Sequence, residues 1–529
     1  MVRIVLLLVI ANLCTFNLSA QDYSLIIFKD KKGSESLSPS DFLTQEAISR
    51  RNNQGIELDS SDFPVSQEYV SAIQNEDVNV LLTSKWLNAV LVEGSPSELT
   101  ALIDLPFVSE ITNMQDSAEP FNPELTTQAV MADSALLGNS FTQNHLIGID
   151  QMLADGYTGN GITVAVFDNG FLNMDQLDFF QHIDIKGTFD IVDNETDVFD
   201  NGGHGLNVLS LMGSYKEGVM VGGAYNASYY LFRTEADAIE RRIEEIYWLK
   251  AAEMADSLGV DIINSSLGYN QFDNSAEDYE QSELNGTTAW ISVAANYAAS
   301  KGMLVVSAAG NEGANSWGKV TFPADSPFVM AVGSVSSNGQ KASSSSIGPT
   351  ADDRIKPDIA AMGAGVTIVN PSGELRTSSG TSFASPLLAA LAAGLWEQFP
   401  ELTNFELMDK IKSSGSMSSA PDNQLGYGIA SYIRAKSLIT DLDQASPLAA
   451  VNLYPNPSDG TFKLQLDNLI GDQIKIQGWD LTGKLIFDQQ QSVTTVTHSF
   501  SLPKSINQSL ILILVSHKNH RKTFRVFID

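Results

Sequence analysis

Three textures of hydrophobic patterning follow one another along the chain. From Asp22 to about Ile111, apolar runs of strand length (YSLIIF, VNVLL, LNAVLVEG) alternate with polar, helix-like segments (SPSDFLTQEAISRRNNQ, VSQEYVSAIQ, SPSELTALIDL), which predicts a small α+β domain over residues 21–115. The period is lost over residues 116–139, which predicts a linker. Between residues 140 and 440 the apolar runs ITVAVF, ASYYLF, DIINSSL, MLVVSAAG and FVMAVGSV alternate with helical stretches such as RRIEEIYWLKAAEMADSLG and TTAWISVAANYAASKG. Strands that are apolar at every position, separated by helices, predict an α/β domain with a parallel sheet covered on both faces. Over residues 451–529, short strands broken by Pro, Asn and Gly turns predict a small β-sandwich.

The N-terminus adds a destination. Arg3 precedes an apolar run from Ile4 to Ala11 and then small and polar residues ending at Ala20, the layout of a secretory signal peptide over residues 1–20. That run is too short to span a bilayer, which sets aside a membrane anchor, and SLILILV near the other end is only of strand length. Export through the periplasm, to the medium or the outer cell surface, is the expectation. The single cysteine, Cys14, falls inside the signal segment, so the exported chain would carry no disulfide. With 43% hydrophobic and 18% charged residues the composition is globular, and 529 residues require several domains. Lys plus Arg number 31 against 63 Asp plus Glu; the net charge of −32 disfavours nucleic acid and anionic membranes as partners.

The segment SSGTSFASP, running straight into LLAALAAGLW, raises the question of chemistry. Ser382 opens the predicted helix, where free backbone N–H groups and the positive dipole end favour a developing anion, and Pro386 is expected in the first turn, where its missing N–H costs little. A serine nucleophile needs a histidine base oriented by a carboxylate. Of the six histidines, His498, His517 and His520 fall in the C-terminal region and His145 at the start of the α/β region; His182 has no framing. His204, in DNGGHGLNVLSLMG, stands where glycines give way to an apolar helix. Asp168 ends the strand ITVAVFD, at the carboxyl edge where open α/β sheets place ligands, although Asp-Asn-Gly is also ordinary turn chemistry. Asn311, between Gly310 and Gly313 after a strand, has the close backbone approach that an oxyanion donor needs.

Together these segments resemble the subtilisin-like (subtilase) serine peptidases. VAVFDNG is similar to the family's aspartate motif, HGLNVLSLMG to its histidine motif, AAGNEG to its oxyanion motif and SGTSFASP to its serine motif, and INSSLG, FPADSP, AVGSV and IKPDIAA extend the likeness over residues 140–440. The resemblance implies a triad of Asp168, His204 and Ser382 with Asn311 in the oxyanion hole. It also implies a substrate pocket walled by Ser265, Ser266, Leu267, Gly268, Ala309 and Gly310, with Thr321 at a base where many relatives have Gly. A medium apolar side chain is then preferred on the acyl side of the cut bond. Leu206 and Asn207 depart from the Thr and second His usual after the His-Gly pair. Residues 21–115 resemble the propeptides of such enzymes, and LYPNPSDGTF with GWDLTGKLIF resembles the type IX secretion sorting domain of Bacteroidetes. The partners implied are protein or peptide substrates, the chain's own propeptide and the type IX machinery. The alternative is a catalytically silent subtilase fold kept as a cell-surface binding module.

GANSWGK matches phosphate-loop spacing, but Val320 replaces the required Ser or Thr and no helix follows; GYTGNG lacks the order of a dinucleotide fingerprint. The loop holding Asp190, Asp193, Glu195, Asp197 and Asp200 offers oxygen ligands of the kind calcium takes in many subtilases. A solvated acidic loop is the preferred reading. No metal ligand is named, and the chemistry requires no cofactor.

Overall fold

The computed structural model describes residues 22–114, 135–236, 240–440, 448, 450–458, 460–466, 469–480, 483–502, 510–517 and 520–528. The signal peptide expected over 1–20 and most of the linker expected over 116–139 lie outside the described residues.

The N-terminal segment folds as a four-stranded antiparallel sheet of β1 (Asp22–Phe28), β2 (Asn79–Ser84), β3 (Ala89–Gly94) and β4 (Val108–Met114), in the order β2-β3-β1-β4. Its central strands are apolar on both faces. Ile26, Val90 and Val92 pack under a helix, α1 (Gln67–Gln74), through Tyr69, Val70 and Ile73. Leu25, Ala89 and Leu91 join Trp248 and Leu249 of the central domain in a second core.

That central domain is a seven-stranded, wholly parallel sheet. Its strands are β5 (Thr163–Asp168), β6 (Asp184–Asp190), β7 (Ser228–Arg233), β8 (Ile262–Ser265), β9 (Leu304–Ala308), β10 (Val329–Val335) and β11 (Ile359–Met362), in the order β11-β10-β9-β8-β5-β7-β6. Strand periodicity sends alternate side chains to opposite cores. Val164, Val166, Val306 and Val332 face α2 (His204–Gly213) and α3 (Thr381–Gln398), whereas Ala165, Phe167, Val305 and Ala331 face α4 (Ile243–Leu258) and α5 (Trp290–Ser300). This is the doubly covered sheet that the unbroken apolar runs predict. At the carboxyl edge of the sheet, β5 ends in Asp168 and β6 in Asp190.

The N-terminal domain sits on α4 and α5. Glu253 accepts from Ser84 Oγ at 2.6 Å and from the backbone N–H groups of Lys85 and Trp86, and Trp86 stacks on Tyr297 at 5.6 Å. Asp256, fully buried, receives Arg50, Arg51 and Lys85 at 2.6, 2.8 and 2.8 Å. Burial works against its charge, but Arg51, Lys85 and Arg50 hold the carboxyl well below the usual range. Lys301, also fully buried, pairs with Asp59 and Asp62 at 2.9 and 3.0 Å. Every one of these partners comes from the N-terminal domain.

The C-terminal region forms two antiparallel sheets around Phe462, Leu464, Ile474, Ile476, Ile511, Ile513 and Val526. One has the order β12-β13-β16, with β12 (Asn452–Tyr454), β13 (Thr461–Gln465) and β16 (Thr497–Ser501). The other has the order β15-β14-β17-β18, with β14 (Gln473–Asp480), β15 (Leu485–Ser492), β17 (Leu510–His517) and β18 (His520–Phe527).

Candidate active site

Asp168 is the last residue of β5 and is fully buried. Its Oδ1 lies 2.7 Å from His204 Nδ1 and accepts the Asn169 N–H at 2.9 Å. His204 is the first residue of α2, so its ring leaves the helix start toward the sheet edge. Asn169 ties the pair together from the other side, because its Oδ1 accepts the backbone N–H groups of His204 at 3.2 Å and Gly205 at 3.4 Å. Those are orphan donors of the helix terminus, and α2 has no capping side chain of its own. Gly205 is required: a Cβ there would stand 2.4 Å from the Gly170 carbonyl and 2.9 Å from Asp168 Cβ. Leu206, the departure from the family pattern, is fully buried in the core behind the base.

Ser382 is the second residue of α3, on the same edge; the ring of Phe383 beside it lies 5.6 Å from the His204 ring. Pro386 corrects the expectation placed on it. The helix begins at Thr381, so the proline sits in the second turn, where its absent N–H would have bonded the Ser382 carbonyl. Ser266 makes good the loss. Its Oγ donates to the Ser382 carbonyl at 2.8 Å, while Ser382 Oγ donates to the Ser266 carbonyl at 3.1 Å. Asn264 extends the lock, donating from Nδ2 to Ser266 Oγ at 3.2 Å and accepting Ser385 Oγ at 2.8 Å.

Asn311 follows β9 and is exposed. Its Oδ1 accepts both the backbone N–H (2.9 Å) and the hydroxyl (3.1 Å) of Thr381, and Thr381 Oγ1 in turn accepts the Gly310 N–H at 3.2 Å. With the carbonyl end held, the amide nitrogen is the end presented outward.

The pocket residues divide. Gly268 and Gly310 flank Thr321: Cβ atoms on them would stand 2.2 Å and 2.8 Å from Thr321 Oγ1, so the threonine fills space that both glycines leave. Thr321 donates its backbone N–H to the Ala309 carbonyl at 3.1 Å. Ser266 and Leu267 follow β8 and are buried. Ser265 does not contribute a side chain to the pocket wall, because its hydroxyl accepts Trp248 Nε1 at 3.0 Å inside the α4-side core. Beyond the wall, Tyr269 donates to Glu235 at 2.7 Å. Burial, with Glu240 and Glu244 nearby, pushes the Glu235 carboxyl well above its usual range. Sequence reasoning missed Glu235, Asn169, Thr381 and Asn264; the first carries no local signal, while Asn169 and Thr381 stand inside motifs already singled out.

In the acidic loop, Asp190, Asp193 and Glu195 bring carboxylate oxygens within 4.8 Å of one another. Arg233 Nη1 occupies the cluster, 2.6 Å from Asp190 and 2.5 Å from Asp193. A guanidinium already supplies the positive charge, so these residues do not fit a calcium cage.

Comparison with known proteins supplies the class: this chain is a subtilisin-like serine endopeptidase, a hydrolase. Subtilisin NAT of Bacillus subtilis subsp. natto is 30% identical over 288 residues, covering 53% of this chain and 68% of that protein. Alkaline elastase YaB of Bacillus sp. (strain YaB) is 26% identical over 397 residues, 73% of this chain and 88% of its own length. The crystal structure of MycP1 from Mycobacterium smegmatis aligns with a TM-score of 0.45 and 23% identity, covering 59% of this chain and 89% of that one. The chain belongs to the subtilase family, which matches residues 159–428. Residues 23–129 match the Bacteroidota propeptide domain of peptidase S8, and residues 452–520 match a secretion system C-terminal sorting domain. No helix among the described residues is long and apolar enough to cross a membrane.

Proposed function

We propose that the chain is a secreted endopeptidase in which Ser382 attacks the peptide carbonyl, His204 takes and returns the proton, and Asp168 holds the imidazole. Asn311 Nδ2 and the Ser382 backbone N–H stabilise the tetrahedral oxyanion. The observation that carries this reading is the 2.7 Å contact of His204 Nδ1 with a buried aspartate. It fixes the proton on Nδ1 and leaves Nε2 as the base, at the edge where α3 presents Ser382. Substrates are protein segments whose medium apolar side chain enters the pocket narrowed by Thr321. Export by the type IX route, to the medium or the cell surface, follows from the sorting domain. Labelling with a serine-directed fluorophosphonate tests the assignment. The unaltered protein, freed of its propeptide, labels at Ser382 and the Ser382→Ala variant does not; an unlabelled mature protein would favour the silent binding module instead.

A further inference from the structure

The C-terminal domain rests on the catalytic domain through two kinds of contact. Some involve these two domains alone: Arg521 reaches Asp409 at 3.0 Å and the Tyr427 hydroxyl at 3.1 Å, and Trp479 meets Phe328 edge-on at 5.9 Å. Arg525 differs. It projects from β18, an edge strand, to a point where all three domains meet. One guanidinium nitrogen donates to the backbone carbonyl of Gln54 in the propeptide at 3.1 Å, and the other donates to Asn404 Oδ1 of the catalytic domain at 3.1 Å.

Asn404 is the node of this junction, 1% exposed and using every polar group it has. Its Nδ2 donates to the carbonyls of Ala299 and Met303, its Oδ1 accepts from Arg525, and its backbone N–H donates to Gln54 Oε1 at 3.2 Å. Gln54 Nε2 donates to the Gly302 carbonyl at 2.8 Å, which fixes the propeptide side of the clasp. No carboxylate is hydrogen-bonded to Arg525 among the described residues, its Nε is sealed from solvent, and its charge is carried by the Gln54 carbonyl, the Asn404 amide and the Phe405 ring 5.5 Å away. Burial and the nearby Arg51 disfavour that charge, Glu406 favours it without a hydrogen bond, and Arg50 disfavours it. A buried cation held by so few acceptors depends on each of them.

We propose that the propeptide is a latch on the sorting domain as well as on the catalytic domain. Gln54 and Arg525 close a three-domain clasp, so that loss of the propeptide loosens the terminal strand β18 from the catalytic domain. Linkage makes the effect reciprocal: whatever factor the propeptide adds to docking of the C-terminal domain, that domain adds to retention of the propeptide. The mature enzyme then presents its last strand more freely than the precursor does.

The test is amide hydrogen exchange on full-length Ser382→Ala protein; it requires only that residues 45–56 stay bound, so its result does not depend on Ser382 being the nucleophile. Arg525→Gln removes the charge-assisted bonds and is expected to raise exchange by roughly tenfold both in residues 45–56 and in residues 520–527. Arg521→Gln, whose contacts bypass the propeptide, raises exchange in the C-terminal domain and, through the linkage alone, much less in residues 45–56 than Arg525→Gln does. Gln54→Ala keeps the backbone carbonyl that Arg525 reaches but removes the side-chain ties to Gly302 and Asn404, so it raises exchange in residues 45–56 and, through the loosened carbonyl, in 520–527. A rise confined to 520–527 in Arg525→Gln, an Arg521→Gln profile that matches it, or an unmoved β18 in Gln54→Ala overturns the clasp.

Discussion

Pro386 withholds one N–H from α3, and the carbonyl left over is that of the proposed nucleophile, taken up by the Ser266 hydroxyl. A helix defect thereby becomes a tie between Ser382 and the pocket wall, worth on the order of 1 kcal/mol as a hydrogen bond and more as a positional constraint. Ser382→Ala is expected to abolish peptidase activity and leave the propeptide attached, read by intact mass of the purified protein; normal maturation would refute self-processing. Asp168→Asn is expected to lower turnover on the order of 10⁴-fold by losing the imidazole tautomer, the size seen for the same change in an unrelated triad. Asn311→Ala should lower kcat by roughly 10² to 10³, the known size of an oxyanion donor's loss in this family, with KM nearly unchanged. An effect on KM alone would remove Asn311 from that role. Thr321→Gly empties the space between Gly268 and Gly310, so a peptide-library digest should shift from medium apolar to large aromatic residues; an unshifted profile places the pocket elsewhere. The four residues proposed for these roles could be singled out in the sequence because each chemistry admits few residue types and each stood in a telling glycine or strand-end context, and the structure brings Asp168 and His204 into contact. The proline's turn and the direction of the Ser265 hydroxyl were not, since both depend on where one helix begins and which core one side chain joins.

Among the elements, the five strands readable as apolar runs are β5, β7, β8, β9 and β10, which occupy the interior of the sheet. The two that give no such signal, β6 and β11, are its edges. β6 is partly exposed along most of its length, so its pattern is not continuous, and β11, though buried throughout, is the run IAAM, whose two alanines carry little strand signal. The helices behind the sheet carry a pH signature. Glu245 of α4 accepts the Tyr279 hydroxyl at 2.8 Å and the Ile291 N–H at 3.0 Å, tying α4 to the start of α5, and burial pushes its carboxyl up to about 7. Its folded value lies above the unfolded one, so its contribution is complete in acid below the unfolded range and is lost as pH rises through about 7. The loss is on the order of 3 kcal/mol. Glu245→Gln keeps an acceptor without a charge, and its melting temperature should fall less than that of the parent between pH 5 and 8. Parallel profiles would show that the carboxyl ionises without cost.

At the scale of the whole chain, the C-terminal domain has its own core and adds none of the proposed catalytic residues. A protein ending at Asp443 is therefore expected to cleave peptides when made with its propeptide and yet to stay inside a host that uses type IX secretion. Residues 451–529 fused behind a signal peptide and reporter should carry the reporter out, and normal secretion of the truncated enzyme would refute the sorting role. The propeptide has the opposite character. One face of its sheet is covered by its own helix, and the other, with Leu25, Ala89 and Leu91, is completed by residues of α4 and α5 such as Trp248, Leu249 and Tyr297. Cut loose, it would expose half a core to water, along with Arg50, Arg51 and Lys85 stripped of their shared carboxylate. Such a fragment, made alone as residues 22–114, is expected to unfold, and circular dichroism checks it. If it does, release runs one way, as a ratchet: the departing domain no longer has the shape that fits the α4 face and cannot simply dock again.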